Sequence, residues 1–399
     1  MKKSILFVID SLHCAGAEKS LTTLLGLLDY QQYSVDVLLF AHGGEFESLV
    51  PKEVNILSPL AYTRFSNLRF SESVIQALKT TEFKMLKSRM KYSYKIRTKK
   101  RTIPQEARLY WENVSGVIED NSKVYDIAIS YAQGVPTFYV ADKVKAIKKI
   151  AWVNTSYNLE MKEREFQKPF YDQFTNIITV SHSAKAIFLE TYPFYSDKVE
   201  VIYDINNPDF IVERARSENS YEDEFDGIRI LTIGRLDEGK GYDIALEACK
   251  KLKETGLNFR WYVLGKGPLK KEINGLIRRH DLLDHFILLG VEANPYPFIK
   301  DADIYVQTSR FEGFGLAIAE ARMLNIPVVC TNFGAAANQM KHEKNGLVVE
   351  MNAESVKDSV LRLINDSQLN QRIVHYLQTE KKGNLEELDK IYRLIGANQ

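Results

Sequence analysis

Two acids eight positions apart, Glu312 and Glu320, bracket Gly313, Phe314 and Gly315, and the run L-A-I-A-E-A-R-M-L that follows favours a helix. Glycines let backbone approach a ligand closely, and a helix N-terminus offers unpaired amides and a positive dipole end to an anion. A carboxylate in the second turn of such a helix is placed to accept two hydroxyl donors, as from a ribose. Upstream, T-I-G-R-L-D-E-G-K-G (232–241) sets Arg235 and Lys240 in a glycine-containing loop directly after an apolar run. Arginine grips two phosphate oxygens in a fork, whereas lysine acts as a point charge. Four residues of these types and spacings have the chemistry to hold a sugar diphosphate.

Two further loops follow apolar runs. In L-G-K-G-P-L (264–269), Gly265 and Gly267 either let the chain pass close to a base or make a tight turn. In D-S-L-H-C-A-G-A-E-K-S-L (10–21), Gly16 opens a helix whose apolar positions Leu21, Leu24, Leu25 and Leu28 follow helical spacing. That loop lacks the G-x-G-x-x-G of dinucleotide sites, so it does not support NAD binding. His13 and Cys14 adjoin Gly16 and are read either as loop residues or as acceptor contacts. Asp301-Ala302-Asp303 spells D-x-D but leads into a strand, and it is not read as a metal site. No Ser/His/Asp triad is legible.

The elements that must position these loops are short apolar runs alternating with longer amphipathic stretches, the pattern of βα units around parallel sheets. Strands are expected at 5–9, 35–40, 127–131, 150–153, 177–180 and 199–202, then at 228–233, 259–264, 286–289, 304–307, 328–330 and 346–349. About six strands per half imply an α/β protein of two Rossmann-like domains, with the break in the acidic segment 217–227. The chain after Leu369 lacks strands and has the apolar spacing of terminal helices. Ligands in such sheets sit beyond the carboxyl ends of the strands, where all four loops fall.

A chain of 399 residues is long for one core, and a net charge of +1 gives no global attraction to nucleic acid. Cys14, Cys249 and Cys330 form no metal-binding or C-x-x-C spacing and are expected to be buried thiols in a reducing cytosol. The apolar run Ile5–Ile9 ends at Asp10, short for a signal sequence, and no stretch approaches a membrane span, so a soluble or peripheral protein is expected. From Lys79 to Arg101 there are ten Lys/Arg against one acid, Glu82, interleaved with Phe83, Met85, Leu86, Met90, Tyr92, Tyr94 and Ile96. This segment is either a solvated basic helix or a surface that docks on anionic lipid.

Together, A-G-A-E (15–18), V-S-H-S-A-K (180–185), G-R-L-D-E-G-K-G and E-G-F-G-L-A-I-A-E resemble the retaining glycosyltransferases of family 4, the glycosyl transferases group 1. The resemblance covers nearly the whole chain and implies a GT-B fold, with two Rossmann-like domains facing a central cleft and a C-terminal helix crossing back. It implies an N-terminal acceptor domain over 1–203, a donor domain over 204–374 and a returning helix over 375–399. Arg235, Lys240 and Glu312 are then the catalytic set. Gly16, Gly234, Gly265, Phe314, Gly315, Leu316 and Glu320 join Arg235 and Lys240 in the donor site, with Glu320 on the ribose.

The implied reaction is hexosyl transfer with retention from a nucleotide sugar, UDP-sugar favoured, to a hydroxyl of a glycan or polyprenyl-linked acceptor in capsule, exopolysaccharide or wall-polymer synthesis. No metal or other cofactor is implied, and the expected place is the cytoplasm, at the inner face of the membrane. Where many relatives carry a histidine, this chain has Asn154, which hydrogen-bonds a sugar but carries no proton. His182 is read as a helix start. A sugar-nucleotide 2-epimerase of the same fold and a non-catalytic partner subunit are the alternatives.

Overall fold

The computed structural model describes residues 2–155, 157–216 and 220–396. Positions 217–219 of the expected domain break and 397–399 of the expected terminal helix lie outside the described residues. Thirteen strands occur among the described residues: β1 (Lys3–Ile9), β2 (Tyr33–Leu39), β3 (Asn55–Ile56), β4 (Val124–Ser130), β5 (Lys145–Val153), β6 (Asn176–Thr179), β7 (Val199–Val201), β8 (Ile228–Ile233), β9 (Phe259–Leu264), β10 (Phe286–Gly290), β11 (Ile304–Gln307), β12 (Val328–Thr331) and β13 (Leu347–Val349). Each of the expected runs overlaps one of them. Only β3 was not anticipated: at two residues it pairs Asp36 with Asn55 and Val37 with Ile56, too short to register as an apolar run.

The strands form two sheets, ordered β3-β2-β1-β4-β5-β6-β7 and β10-β9-β8-β11-β12-β13, with parallel pairing throughout. Helices cover both faces of a parallel sheet, so its strands read as unbroken apolar runs rather than alternating ones. Ile5 to Ile9 and Tyr305 to Val306 are all at most 1% exposed. Each sheet has its own core. One gathers Leu6, Ala128, Phe138, Ala151 and Ile177, and the other Ile230, Trp261, Val263, Val306 and Val329.

The chain divides into two compact units. The first holds residues up to Val180, Ala184–Ile202 and the chain from Lys390 onward; the second holds Ser181–Ser183 and Tyr203–Asp389. The helix Ser367–Thr379 belongs to the second core through Leu369, Ile373 and Leu377, which are fully buried. The next helix, Glu387–Leu394, carries the chain back to the first unit. There the Tyr392 ring stacks on Tyr33 at 6.2 Å, and its hydroxyl accepts from the Asp29 N–H (3.1 Å) and donates to the Leu27 carbonyl (3.2 Å). Lys148 donates to the Leu394 carbonyl at 2.7 Å.

The cysteines divide. Cys249 and Cys330 are fully buried, and loss of water pushes the Cys330 thiol up to about 12 and Cys249 higher still. Cys14 is only half-buried, because its loop lies at the sheet's carboxyl edge rather than under it. Since the thiolate is the reactive form, alkylation of the native protein with iodoacetamide at pH 8 should modify Cys14 alone. Mass mapping that found Cys249 or Cys330 modified as fast as Cys14 would contradict this packing.

Candidate functional site

In the second sheet the strand order reverses between β8 and β11, which are neighbours in space while β9 and β10 lie to the other side of β8. The loops leaving the carboxyl ends of these two strands meet at the switch point, the place where open α/β sheets bind ligands. The loop after β8 is Gly234–Gly241 and the loop after β11 is Thr308–Gly315, so the two strongest motifs arrive at one crevice. Hydrogen bonds zip the loops together: the Arg310 N–H donates to the Gly239 carbonyl (2.8 Å) and the Thr308 hydroxyl to the Lys240 carbonyl (3.0 Å). Gly241 sits at φ +64°, and a Cβ there would lie 2.1 Å from the Thr308 carbonyl oxygen, so only glycine fits.

Across this seam Lys240 Nζ donates to both oxygens of Glu312, at 2.6 and 2.7 Å. The pair is mostly withdrawn from water, with side chains 21% and 11% exposed. Gly234 leaves room for the lysine stem: a Cβ there would meet Lys240 Cδ and Cε at 3.2 and 3.3 Å. Arg235 stays open, its side chain half-exposed and its Nε 3.4 Å from Asp237 Oδ2. Arg310, unassigned by the motif reading, instead forks onto Asp243 at 2.8 and 2.6 Å and braces the loop.

Glu312 has partners that the motifs did not reveal. Gln307 Nε2 (2.9 Å) and the Ser309 hydroxyl (2.6 Å) both donate to its Oε1. They precede Glu312 by five and three residues but read as the end of an ordinary strand; the polar Q-T-S after an apolar run is the one signal that pointed to them.

The helix Leu316–Met323 starts at Gly315, whose φ of +92° places it in the left-handed region, and no side chain caps this N-terminus. Gln339, another residue missed from sequence, donates from Nε2 to the carbonyls of Phe314 (2.7 Å) and Gly315 (3.1 Å) and so sets the angle at which the helix begins. Phe314 packs its ring against Tyr203 at 5.6 Å. Glu320 lies in the second turn, 2% exposed, with the Tyr296 hydroxyl 3.5 Å from its Oε1. Gly265 follows β9 where a Cβ would strike the Gly234 carbonyl oxygen at 2.0 Å, and a Cβ at Gly267 would lie 2.4 Å from the Leu236 carbonyl oxygen, so both glycines let the third loop lie on the first. Asp303 sits before β11, at the opposite end of the sheet from this crevice, where its carboxylate accepts the Arg229 N–H at 2.8 Å. Among the described residues no cluster of three His, Cys, Asp or Glu is placed to hold a metal ion.

The remaining candidates belong to the first unit, at the carboxyl edge of its sheet. Gly16 begins the helix Gly16–Leu25, whose N-terminus no side chain caps. His13 Nδ1 is 2.9 Å from Glu45 Oε2, and the same oxygen accepts the Cys14 N–H at 3.0 Å. Asn154 follows β5: its Nδ2 donates to the Tyr131 carbonyl (2.6 Å) and its N–H to Gln133 Oε1 (3.1 Å). Its Oδ1 is buried with no partner among the described residues, so the side chain keeps an acceptor in reserve. His182, which lies in the Ser181–Ser183 segment of the second unit, begins the helix His182–Thr191.

Breaking the Lys240–Glu312 pair from one side strands a charge, which costs about 1–3 kcal/mol or more. Lys240→Met and Glu312→Gln should each lower unfolding stability in urea, and the double variant should recover a coupling of roughly 0.5–3 kcal/mol. Additive losses would mean that the pair is not formed in solution.

Comparison with known proteins agrees with the geometry. Residues 214–379 match the family described as Glycosyl transferases group 1. The chain is 28% identical over 196 residues, 49% of its length and 52% of the relative's, to the Campylobacter jejuni N-acetylgalactosamine-N,N'-diacetylbacillosaminyl-diphospho-undecaprenol 4-alpha-N-acetylgalactosaminyltransferase. It is 32% identical over 133 residues, 31% of its own length and 33% of the other's, to a putative colanic acid biosynthesis glycosyltransferase, WcaL, of Escherichia coli. The chain thus spans about half or less of the length of these curated relatives. A TarM mutant of S. aureus, crystallised with Fondaparinux, alpha-GlcNAc-glycerol and UDP, superposes with a TM-score of 0.70 at 13% identity, covering 99% of this chain and 100% of that one. The two parallel sheets are those of the GT-B fold, and residues 214–379 match the glycosyl transferases group 1 family.

Proposed function

We propose that this protein is a retaining glycosyltransferase that moves a hexosyl group from a nucleotide-diphosphate sugar, preferentially a UDP-sugar, to a hydroxyl of a lipid-linked glycan during polysaccharide assembly. The observation that carries the reading is the Lys240–Glu312 pair beside half-exposed Arg235 at the switch point of the second sheet. Cleaving the anomeric bond builds positive charge on the sugar and negative charge on the departing diphosphate. Arg235, Lys240 and the amides at Gly315 and Leu316 stabilise that negative charge, a task for which no metal is required. Glu320 takes the ribose hydroxyls. Attack comes from the face the leaving group departs, which preserves the anomeric configuration and needs no protein nucleophile. Asn154, which has no titratable proton, is compatible with that route. His13 and Asn154 are assigned to the acceptor side, and Gly16 to the donor.

UDP is favoured because a related fold was crystallised with UDP, and a lipid-linked acceptor because the Campylobacter relative is named for a diphospho-undecaprenol substrate. A thermal-shift screen should show stabilisation by UDP above GDP, ADP and CMP. Arg235→Ala with Lys240→Ala should lower kcat/KM for transfer by at least about 1000-fold, since one preorganised donor contributes roughly 2.7–4 kcal/mol. Unchanged transfer would sink the assignment, and activity abolished by EDTA would overturn its metal-free form. Epimerised sugar nucleotide appearing without acceptor would mark an epimerase. No transfer or epimerisation by a UDP-binding wild type would mark a partner subunit.

The basic stretch belongs to the same reading. No helix among the described residues is long and apolar enough to cross a membrane. The stretch spans the helix Phe83–Arg97, in which Tyr92 turns inward onto Tyr110 at 5.3 Å, Met85 packs on the first core and Arg89 donates to the carbonyls of Phe65 and Leu68. Phe83, Met90 and Tyr94 are instead 53%, 50% and 75% exposed, and at spacings of seven and four they share one outward stripe with Lys87. Apolar side chains set among cations suit the headgroup region of an anionic bilayer. Lys87→Gln with Lys91→Gln should weaken binding to phosphatidylglycerol vesicles by about 30-fold, at roughly 1 kcal/mol per cation. Equal binding to phosphatidylcholine vesicles, or none to either, would remove the membrane from the reading.

A further inference from the structure

The two oxygens of Glu312 are not equivalent. Oε1 accepts from three donors: Gln307 Nε2 at 2.9 Å, the Ser309 hydroxyl at 2.6 Å and Lys240 Nζ at 2.6 Å. Among the described residues, Oε2 accepts from Lys240 Nζ alone, at 2.7 Å. A carboxylate oxygen with three donors is saturated, whereas one with a single donor keeps a lone pair for another hydroxyl. The lysine is apportioned likewise: of its three N–H groups, two reach Glu312 and one is left for a phosphate oxygen.

The donors on Oε1 are directed by residues behind them. The Tyr305 hydroxyl, on the fully buried centre of β11, donates to Gln307 Oε1 at 2.5 Å. Burial holds the Tyr305 phenol far above its ordinary range, so it remains a donor. With its carbonyl oxygen spent on Tyr305, the Gln307 amide turns both N–H groups outward, one to Ser309 Oγ (2.6 Å) and one to Glu312. Ser309, accepting from Gln307, directs its own proton to Glu312. The reversed amide would face a carboxylate with a carbonyl oxygen and is excluded by repulsion. The Thr331 hydroxyl fixes the backbone by donating to the carbonyls of Ser309 (2.6 Å) and Gln307 (3.3 Å). Gln307, Ser309 and Thr331 are each at most 2% exposed.

We propose that Gln307 and Ser309 are positioning residues that saturate one oxygen of Glu312, so that the other is presented to a hydroxyl of the donor sugar while Lys240 is held for the diphosphate. This rests on the glycosyltransferase reading and specifies which part of the donor each side chain serves. The sugar is read through Glu312 Oε2, and the nucleotide is not. Loss of the clamp should therefore leave affinity for the free nucleoside diphosphate alone and damage what the hexosyl group adds.

The test compares wild type with Ser309→Ala, Gln307→Leu and Gln307→Glu, using UDP and the UDP-hexose that best stabilises the wild-type protein. Gln307→Leu and Ser309→Ala should keep Kd for UDP within threefold, with kcat for transfer from the UDP-hexose reduced 10- to 100-fold. Gln307→Glu supplies a readout that a scaffolding role does not move. While the new carboxyl is protonated it donates to Glu312 as the amide did; once ionised it repels Glu312, and two facing carboxylates titrate as a pair with one raised pKa. Gln307→Glu should then approach wild-type kcat near pH 5.5 and fall at least tenfold by pH 8.5, a limb absent from wild type and from Gln307→Leu. If Gln307→Leu fails to fold, Ser309→Ala and the pH profile of Gln307→Glu still decide. Wild-type kcat in Ser309→Ala together with a wild-type pH profile in Gln307→Glu would overturn the proposal and leave the function standing. A wild type that binds neither UDP nor GDP would overturn the function itself, and this proposal with it.

Discussion

The contact between Lys240 and Glu312 is the constraint around which the second unit is organised. Two opposite charges about 2.7 Å apart attract by roughly 6 kcal/mol at an effective dielectric constant near 20. Withdrawing them from water costs several kcal/mol per ion. Those magnitudes nearly cancel, so the pair is a weak source of stability. Its effect is geometric: it fixes a cation and an anion, from loops 72 residues apart in sequence, in one crevice before any ligand arrives. A mobile lysine would have to lose its rotamer freedom on binding, and one already held loses little.

The surroundings follow from that requirement. Three loops must lie against one another at the carboxyl edge of the sheet, closer than side chains allow, and glycine occupies the points of contact at 234, 241, 265 and 267. The loop carrying Glu312 then passes directly into a helix whose uncapped start must be aimed, and Gln339 sets that aim by holding the Phe314 and Gly315 carbonyls. A Cβ at Gly315 would come within 2.9 Å of the Gln339 amide, so the glycine and the glutamine are coupled choices.

Much of this was legible in the sequence because parallel strands buried on both faces leave unbroken apolar runs, and because glycine-rich loops stand out after them. The β3 strand was not, since two residues cannot show a period. The acids and bases of the crevice were legible by type and spacing, but their supports were not. Gln307 and Ser309 are common residues whose importance lies in being buried beside Glu312, and Gln339 comes from a loop far along the chain. The basic stretch was legible as a mixture of lysines and apolar residues. Only the helix's packing separates Phe83, Met90 and Tyr94, which face outward, from Met85 and Tyr92, which hold it down. Cys14 looked like its two apolar-flanked counterparts, but a residue in an edge loop lacks the second layer that buries them.

The two sheets, alike in topology, end in chemically different edges. The second presents charge: Arg235, Lys240 and Glu312 around a helix N-terminus. The first presents neutral hydrogen-bonding groups and a histidine bound to a carboxylate: Asn154 with its Oδ1 uncommitted, an uncapped helix at Gly16, and His13 on Glu45. A diphosphate must be neutralised, and the energy of doing so depends on charge more than on shape. A sugar hydroxyl must instead be matched by an oriented acceptor, because an unmatched polar group costs about as much as a good hydrogen bond gains. In its proposed acceptor role, Asn154 commits one N–H of its amide to the Tyr131 carbonyl and keeps Oδ1 to accept. The same logic governs Glu312, where donors on one oxygen reserve the other. At Glu312 the proposed selectivity comes from filling the hydrogen-bonding capacity that must not be used.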